Sequence, residues 1–202
     1  MTLEKVPSTI KDERLIAIRR EQMIKAAVIL FKEKGFHRTT TRELAKTAGF
    51  SIGTLYEYIR KKEDILFLVC DSIYERVKER MDQIIDLKEE SQENLTCAIR
   101  AYFTLMDEMQ DEVLVMYQEV KALPKEAQDY VLKKEKEMVH MLQIVIQNSL
   151  DEEKTEDEVF LIANNIFVQG QMWGFRRWAL QKKYDLDTYC ELQIRNLIHG
   201  IL

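Results

Sequence analysis

Hydrophobic residues recur along this chain with the spacing of helices almost from end to end. Long apolar stripes with residues three and four apart occupy the ranges 12–34, 62–87, 92–110, 124–150, 156–181 and 185–202, and shorter stripes occupy 41–47, 51–59 and 112–121. Only 6 Gly and 2 Pro interrupt 202 residues, and no stretch shows a convincing strand pattern. The pattern therefore predicts an all-α protein of about nine helices.

The stretch from Thr40 to Leu66 has the signals of two short helices joined by a tight turn. Thr40 followed by Glu43 forms a capping box, which starts a helix over 41–47. Gly49 can end that helix, because a left-handed backbone conformation is cheap only for glycine. Ser51 can cap the next helix. Two short helices joined by a glycine-containing turn form a helix-turn-helix.

The second of these helices has the side chains of a DNA-reading helix. Ser51, Gly53 and Thr54 are small or polar, so a DNA backbone can approach its first turn. The Thr54 hydroxyl can bond to a phosphate or a base edge, and its methyl group can meet a thymine methyl. Tyr56 and Tyr58 carry hydroxyls at the reach of phosphates. The pattern indicates contact with double-stranded DNA.

The same stretch resembles a known family. Thr41-Arg42-Glu43-Leu44-Ala45, Ala48-Gly49-Phe50-Ser51, Gly53-Thr54-Leu55-Tyr56, Tyr58 and Lys62-Glu63-Asp64 are similar, in order and without gaps, to the DNA-binding domain of TetR-family transcriptional regulators over about residues 18–68. Ile59 stands where the family often has Phe, a core exchange that should not affect DNA reading. The predicted DNA contacts are Thr41, Arg42, Ser51, Gly53, Thr54, Tyr56, Tyr58 and Lys62.

Charge is divided unevenly between the two ends of the chain. Residues 1–62 contain 14 Lys+Arg and 7 Asp+Glu, a net charge of +7, and the remaining 16 Lys+Arg and 28 Asp+Glu give −12. A basic module on an acidic body is the distribution expected of a DNA-binding protein. We expect a flexible arm over 1–11, a helix-turn-helix domain over 12–62, and a helical effector-binding and dimerisation domain over 63–202. Lys5 and Lys11 either reach the minor groove or belong to a frayed terminus.

The last two long helices carry broad apolar faces. Gly170 and Gly174 are four residues apart, which would let two helices approach closely. An isologous homodimer is predicted, since two-fold partners can read two half-sites of a palindromic operator; the resemblance implies the same. The alternative is that these faces are buried within one chain. The predicted interface residues are Ile162, Ile166, Gly170, Gly174, Tyr189, Ile194 and Ile198.

Methionine and aromatic residues are concentrated in the C-terminal body, where 7 of the 9 Met lie after residue 80. The resemblance implies an effector pocket there, and a fatty acyl compound or a lipophilic drug is the expected effector. For each single residue, a place in the core is the alternative. Arg176 and Arg177 could meet an anionic effector head, or could extend to solvent and pair with acidic neighbours. The pocket candidates are Phe103, Met106, Met109, Tyr117, Met138, Met141, Phe167, Trp173 and Arg177.

The remaining chemistry-bearing residues do not form a catalytic pattern. No two of His37, His140 and His199 have metal-ligand spacing, and no Gly-rich phosphate loop is present, so we expect no catalytic residue, metal or cofactor. The dispersed Cys70, Cys97 and Cys190 are typical of a reducing compartment. Their expected role is that of small buried hydrophobic residues, with redox sensing as the alternative.

These observations predict a cytoplasmic, ligand-responsive transcriptional regulator that binds a palindromic operator as a homodimer. The resemblance implies repression, which is the usual activity of that family. No apolar run approaches the ~20 residues that span a bilayer, and no apolar signal region begins the chain, so no membrane partner is expected. The alternatives are an enzyme in the helical body and a helical interaction protein without sequence-specific DNA binding. The polar first turn of the reading helix argues against the interaction protein.

Overall fold

The computed structural model describes residues 6–84, 91–149 and 154–201. Within these ranges the chain contains no strand, which confirms the all-α prediction. A short 3-10 turn lies at Val120–Ala122. The ten α-helices are α1 (Glu13–Lys34), α2 (Thr41–Ala48), α3 (Ile52–Tyr58), α4 (Lys62–Ile84), α5 (Gln92–Glu108), α6 (Gln110–Glu119), α7 (Lys125–Ser149), α8 (Glu156–Phe175), α9 (Arg177–Leu180) and α10 (Leu186–Ile201). The predicted helix ends at residues 87, 150 and 202 lie outside the described residues.

The described residues contain one helix more than predicted, because the stripe over 156–181 breaks at Arg176. The backbone of Arg176 leaves the helical region, with φ −107° and ψ 24°, and its N–H donates to the Met172 carbonyl at 2.9 Å. The short α9 then starts at Arg177. A stripe of apolar residues continues across this break, so periodicity alone could not locate it.

The chain divides into two compact units. The first takes the residues up to Ile73 together with Asp111–Lys133, and the second takes Tyr74–Gln110 and the residues from Lys134 onward. Within the described residues, no helix is both long and apolar enough to cross a membrane.

The first unit is built around the packing of α1, α2 and α3. Phe31, Leu44, Leu55 and Ile59 are at most 2% exposed and form its core. Local signals set the helix ends as predicted. Thr40 and Glu43 make a reciprocal capping box at the start of α2, and Gly49 follows that helix in the left-handed region at φ 79°. These contacts fix the turn from which α3 starts.

The second unit has an aromatic core between α5, α8 and α10. The Tyr102 ring stacks on Phe167 with centroids 5.5 Å apart, and its hydroxyl donates to the Phe167 carbonyl at 3.1 Å. Trp173 lies 4.9 Å from Tyr189 between ring centroids and donates from Nε1 to Asp107 at 2.6 Å. The large rings therefore find both apolar neighbours and partners for their polar atoms.

Candidate DNA-binding site

The first turn of α3 presents a pair of hydroxyls to solvent. The Ser51 side chain accepts from the Thr54 backbone N–H at 3.0 Å, as predicted for an N-cap, and the two hydroxyl oxygens are also 3.0 Å apart. Ser51 is exposed and Thr54 is half-buried. Both side chains keep further hydrogen-bonding capacity, which an approaching phosphate or base edge could use.

Gly53 lies beside this hydroxyl pair on the exposed side of α3. Among the described residues, the nearest atom to a Cβ added there would be Ser51 Oγ at 3.6 Å, an ordinary contact. Glycine inside a helix costs ~1 kcal/mol relative to alanine. The chain itself therefore leaves room for a side chain at this position, and the close approach of DNA to Gly53 stays a prediction.

The start of α2 lies next to the middle of α3. Tyr56 is 47% exposed, and its hydroxyl donates to the Thr41 hydroxyl at 3.3 Å. The neighbouring Arg42 is exposed. The structure thus brings Thr41 and Tyr56 together on the accessible surface that also carries Arg42, and their contact with DNA stays a prediction.

Tyr58 requires a correction. It is only 2% exposed, so its ring packs in the core and does not present a hydroxyl to DNA as we predicted. The reason is helical geometry, since Leu55, Tyr58 and Ile59 lie three and four residues apart on the inward face of α3. The sequence already held this signal in the spacing of the three residues.

Lys62 has an intramolecular role that the sequence prediction of a phosphate contact missed. Its ammonium group donates to the carbonyls of Phe36 at 2.8 Å and Thr39 at 2.9 Å, with His37 at 3.5 Å, and it lies 4.2 Å from the centroid of the Phe36 ring. An ammonium group has three donors. Lys62 therefore fastens the turn between α1 and α2 to the start of α4.

Replacing Lys62 by methionine is expected to lower the free energy of unfolding by about 1–3 kcal/mol, because part-buried carbonyls lose their donors. The dependence of DNA affinity on salt should stay as in the wild type. Urea denaturation and binding at several salt concentrations test this. Lys61→Met, at the exposed neighbouring position, is the control. Unchanged stability with a flatter salt dependence would instead support the phosphate contact.

The same turn is held from a second side by α6, which the sequence did not indicate. The Phe36 backbone N–H donates to Glu119 Oε1 at 3.0 Å, and Lys32 of α1 forms an ion pair with Asp111 at 2.6 Å. Glu119 is 83 residues from Phe36 in sequence. No local pattern could have predicted this contact, because it depends on how α6 packs.

Glu43 ties the start of α2 to α1. The Lys34 ammonium group, followed by the Thr40 backbone N–H and hydroxyl, lowers the pKa of the Glu43 carboxyl to about 2. Because the folded pKa lies below the ordinary value of about 4.3, this carboxylate stabilises the fold above that pH. The contribution is lost as the pH falls towards 2.

Glu43→Gln is therefore expected to make the melting temperature less sensitive to pH between about 4.5 and 2 than it is in the wild type. Differential scanning fluorimetry across this range checks the expectation. An NMR titration of the Glu43 carboxyl gives an independent measurement. A midpoint near the ordinary value of about 4.3 would contradict the proposed pairing.

The nine predicted pocket residues lie in different surroundings. Phe103, Met106, Met109, Phe167 and Trp173 are at most 4% exposed and lie in the interior of the second unit. Both a core role and the lining of an enclosed pocket stay predictions for them. Tyr117 is 58% exposed in α6 of the first unit, so the prediction that it lines a buried pocket is wrong.

Two of the remaining candidates, Met138 and Met141, line a cleft of about 190 Å³ in the second unit. Tyr74, Lys78 and Glu137 also line this cleft. Arg177 is half-buried and outside the lining of this cleft, while the guanidinium of its neighbour Arg176 lies 5.1 Å from the centroid of the Trp178 ring.

The predicted dimer face also needs correction. Ile166, Gly170, Gly174, Tyr189 and Ile194 are buried within the second unit, as the alternative held. Ile162 and Ile198 are half-buried. The apolar side chains that α8 turns to solvent are instead Phe160, Leu161 and Val168, with exposures of 56%, 60% and 49%. Because α8 is apolar on two sides, periodicity could not tell the inner side from the outer one.

Two of the three cysteines are buried, as predicted. Burial raises the pKa of the Cys70 thiol to about 12 and that of Cys190 to about 11, which disfavours the reactive thiolate. Cys97 is exposed, so the prediction of burial is wrong for it.

In the part of the chain that the structure describes, no group of three His, Cys, Asp or Glu side chains could hold a metal ion.

A helix-turn-helix with a solvent-facing reading helix, followed by an all-helical body, defines a DNA-binding transcriptional regulator. Comparison with protein families agrees with this class. Residues 23–69 match the model "Bacterial regulatory proteins, tetR family", and residues 88–176 match "Tetracyclin repressor-like, C-terminal domain". The chain belongs to the TetR family, and the resemblance found in its sequence is confirmed.

Two curated relatives illustrate the similarity. The HTH-type transcriptional regulator HbdR of Aromatoleum sp. (strain CIB) is 26% identical over 200 residues, which cover 98% of this chain and 87% of that protein. The fatty acid metabolism regulator protein of Bacillus subtilis (strain 168) is 37% identical over 84 residues, covering 42% of this chain and 43% of its own.

Solved structures share the fold. A tetR-family regulatory protein from Rhodococcus RHA1 superposes with a TM-score of 0.79 at 18% identity, covering 90% of this chain and 95% of its own. The transcriptional regulator FadR from Bacillus subtilis, solved in complex with stearoyl-CoA, superposes with a TM-score of 0.67 at 26% identity, covering 90% of this chain and 99% of its own.

Proposed function

We propose that this protein is a transcriptional repressor that binds a palindromic operator as a homodimer and is released by a lipophilic acyl group carried on coenzyme A. The observation that carries the proposal is the first turn of α3. Its exposed Ser51 and half-buried Thr54 carry hydroxyls on either side of Gly53. Packing within the described chain does not require glycine at this position, because an added Cβ would make only an ordinary contact. In a TetR-family regulator, this surface is the natural candidate for reading the major groove.

The class of effector is inferred from a relative. FadR from Bacillus subtilis, 26% identical over 90% of this chain, was solved with stearoyl-CoA. The cleft lined by Met138 and Met141 gives this chain a partly apolar opening in its second unit, and its lining also includes Lys78 and Lys134 together with Glu75 and Glu137. Soft methionine side chains suit a flexible acyl chain. Lysines suit the phosphates of coenzyme A, which would replace Asp82 as the partner of Lys78 and Glu137 as the partner of Lys134.

The dimer is proposed to use the outward side of α8. Phe160, Leu161 and Val168 form an exposed apolar stripe, and the helix begins with acidic residues at 156–158 and is followed by Arg176 and Arg177. Two copies of a helix paired about a perpendicular two-fold axis run antiparallel. The acidic start of one α8 then meets the basic end of the other, so apolar contact and charge favour the same arrangement.

Changing Leu161 and Val168 together to glutamate is expected to convert the dimer into a monomer at micromolar concentration. Four like charges would then be buried at the two-fold interface, which costs several kcal/mol. Sedimentation velocity measures the change. Leu132→Glu, at an apolar position of α7 that is 51% exposed, is the matched control and should leave the assembly unchanged. A dimeric double variant would refute the proposed face.

Selection from random duplex DNA with the full-length protein tests the whole function. We expect an enriched palindrome whose affinity falls steeply with salt. Stearoyl-CoA should then weaken binding to that operator, whereas coenzyme A and stearate alone should have little effect. If no sequence is enriched, the helical interaction protein becomes the better account. If the operator is enriched but stearoyl-CoA has no effect, the effector class is wrong and the regulator stands.

A further inference from the structure

The carboxyl end of α3 is closed by a segment far away in sequence. The last carbonyls of a helix lack intrahelical donors and need other partners. The Glu57 carbonyl accepts from the Thr9 backbone N–H at 2.9 Å, the Ser8 hydroxyl at 2.9 Å and the Thr9 hydroxyl at 3.2 Å. The helix itself runs into an extended Ile59, with φ −142° and ψ 161°, so no left-handed residue caps it.

Val6–Thr9 supplies these donors. From here on, the name arm refers to this segment and not to the whole of residues 1–11. Its Val6 side chain is only 8% exposed, and the guanidinium of Arg20 on α1 donates to the Val6 carbonyl. The described part of the stretch predicted to be flexible, residues 6–11, thus has defined contacts, and its flexibility stays a prediction, while residues 1–5 lie outside the described part. The arm connects α1 directly to the end of the reading helix.

The arm also borders a cleft of the first unit. Val6 and Pro7 line a cleft of about 210 Å³, whose apolar walls also include Phe67, Leu123 and Ala127 of the same unit. Packing thus leaves part of the arm beside this cleft. The burial of Val6, the hydrogen bonds to Glu57 and the Arg20 contact together hold the arm at the end of α3.

We propose that the arm is a positioning element for the reading helix. By bonding the Glu57 carbonyl, it holds the orientation of the seven-residue α3 and raises operator affinity without touching DNA. A short helix held by few buried side chains gains most from such support, because small rotations misplace every contact that it makes. This inference rests on the proposed operator binding and adds to it a role for Ser8 and Thr9.

The double variant Ser8→Ala, Thr9→Pro removes all three donors, since proline has no backbone N–H. Operator affinity is expected to fall roughly tenfold, which corresponds to the net free energy that one typical hydrogen bond contributes. Non-specific affinity and the salt dependence should not change, because neither the substituted residues nor α3 contains a Lys or Arg that neutralises a phosphate. Thr9→Val keeps the backbone N–H and should bind within about twofold of the wild type.

A second measurement does not depend on DNA. Hydrogen exchange of the α3 amides in the free protein should become faster in the double variant, while exchange in α1 around Met23 and Ala27 stays slow. Circular dichroism and the melting temperature establish that the variant is folded, so that its DNA affinity can be interpreted.

Either of two results would overturn the inference. Unchanged operator affinity in the folded double variant would mean that the arm does not position α3. A flatter salt dependence would mean that the arm contacts phosphate directly. If the wild-type protein selects no operator at all, the proposed function fails instead, and the exchange measurement still decides whether the arm orders α3.

Discussion

Replacing Thr54 and Tyr56 together by alanine is expected to weaken operator binding by about a hundredfold. A contact of Thr54 to a base edge is worth ~1–3 kcal/mol. A hydrogen bond from Tyr56 to a charged phosphate adds about 1.5–3 kcal/mol, and tenfold in affinity corresponds to about 1.4 kcal/mol. The fold should survive, because Leu55, Tyr58 and Ile59 hold α3 in place and are at most 2% exposed. Loss of the bond from Tyr56 to Thr41 should cost only about 1 kcal/mol of stability.

Fluorescence anisotropy with the selected operator and with an unrelated duplex separates specific from non-specific binding. The specific affinity should fall towards the non-specific value, which should change less. Tyr117→Ala is a matched control, since Tyr117 is a comparably exposed tyrosine outside the helix-turn-helix. Wild-type affinity in the Thr54 and Tyr56 double variant would remove these residues from the proposed interface.

Gly170→Val is expected to destabilise the protein by about 3 kcal/mol, at the upper end of the cost of overpacking a core. A Cβ at this position would lie 2.5 Å from Tyr102 Cε1 and 3.1 Å from Phe103 Cδ1. The Tyr102 ring cannot move aside easily, because it is 1% exposed, stacked on Phe167 and hydrogen-bonded to its carbonyl. The melting temperature should fall by roughly 6–12 °C.

Gly53→Ala is the control for Gly170→Val, because a Cβ at Gly53 meets only an ordinary contact. It should leave the melting temperature unchanged or raise it, as alanine favours helix by up to ~1 kcal/mol. If Gly170→Val kept its melting temperature and lost its dimer, Gly170 would face a second copy, as the sequence first suggested.

Local signals predicted the local structure well. The capping box of Thr40 and Glu43, the left-handed Gly49 and the Ser51 cap involve neighbours in sequence, and all three are found in the structure. The extra helix at Arg176 was not predicted, since it depends on backbone geometry within a continuous apolar stripe.

Residues whose partners are distant in sequence were assigned less well. Lys62 was predicted to bind phosphate because a basic residue at the start of a helix is a poor partner for the helix dipole. Its partners are instead carbonyls 23 and 26 residues away. The contacts of Glu119 with Phe36 and of the arm with Glu57 could not be predicted from the sequence, because they also join residues far apart along the chain. On α8, both sides are apolar, and the three-dimensional packing, such as that of Gly170 against Tyr102, is needed to show which side is the inner one.

The bond from the Phe36 N–H to Glu119 has a consequence for how sensitivity to an effector can be tuned. Coupling between two binding events is reciprocal in free energy. Suppose that operator DNA favours the turn geometry that this bond supports. The free energy by which the docked α6 strengthens DNA binding then equals the free energy by which bound DNA stabilises the docked α6. A substitution at Glu119 would then change the concentration of effector needed for release, even though it touches neither the DNA nor the effector.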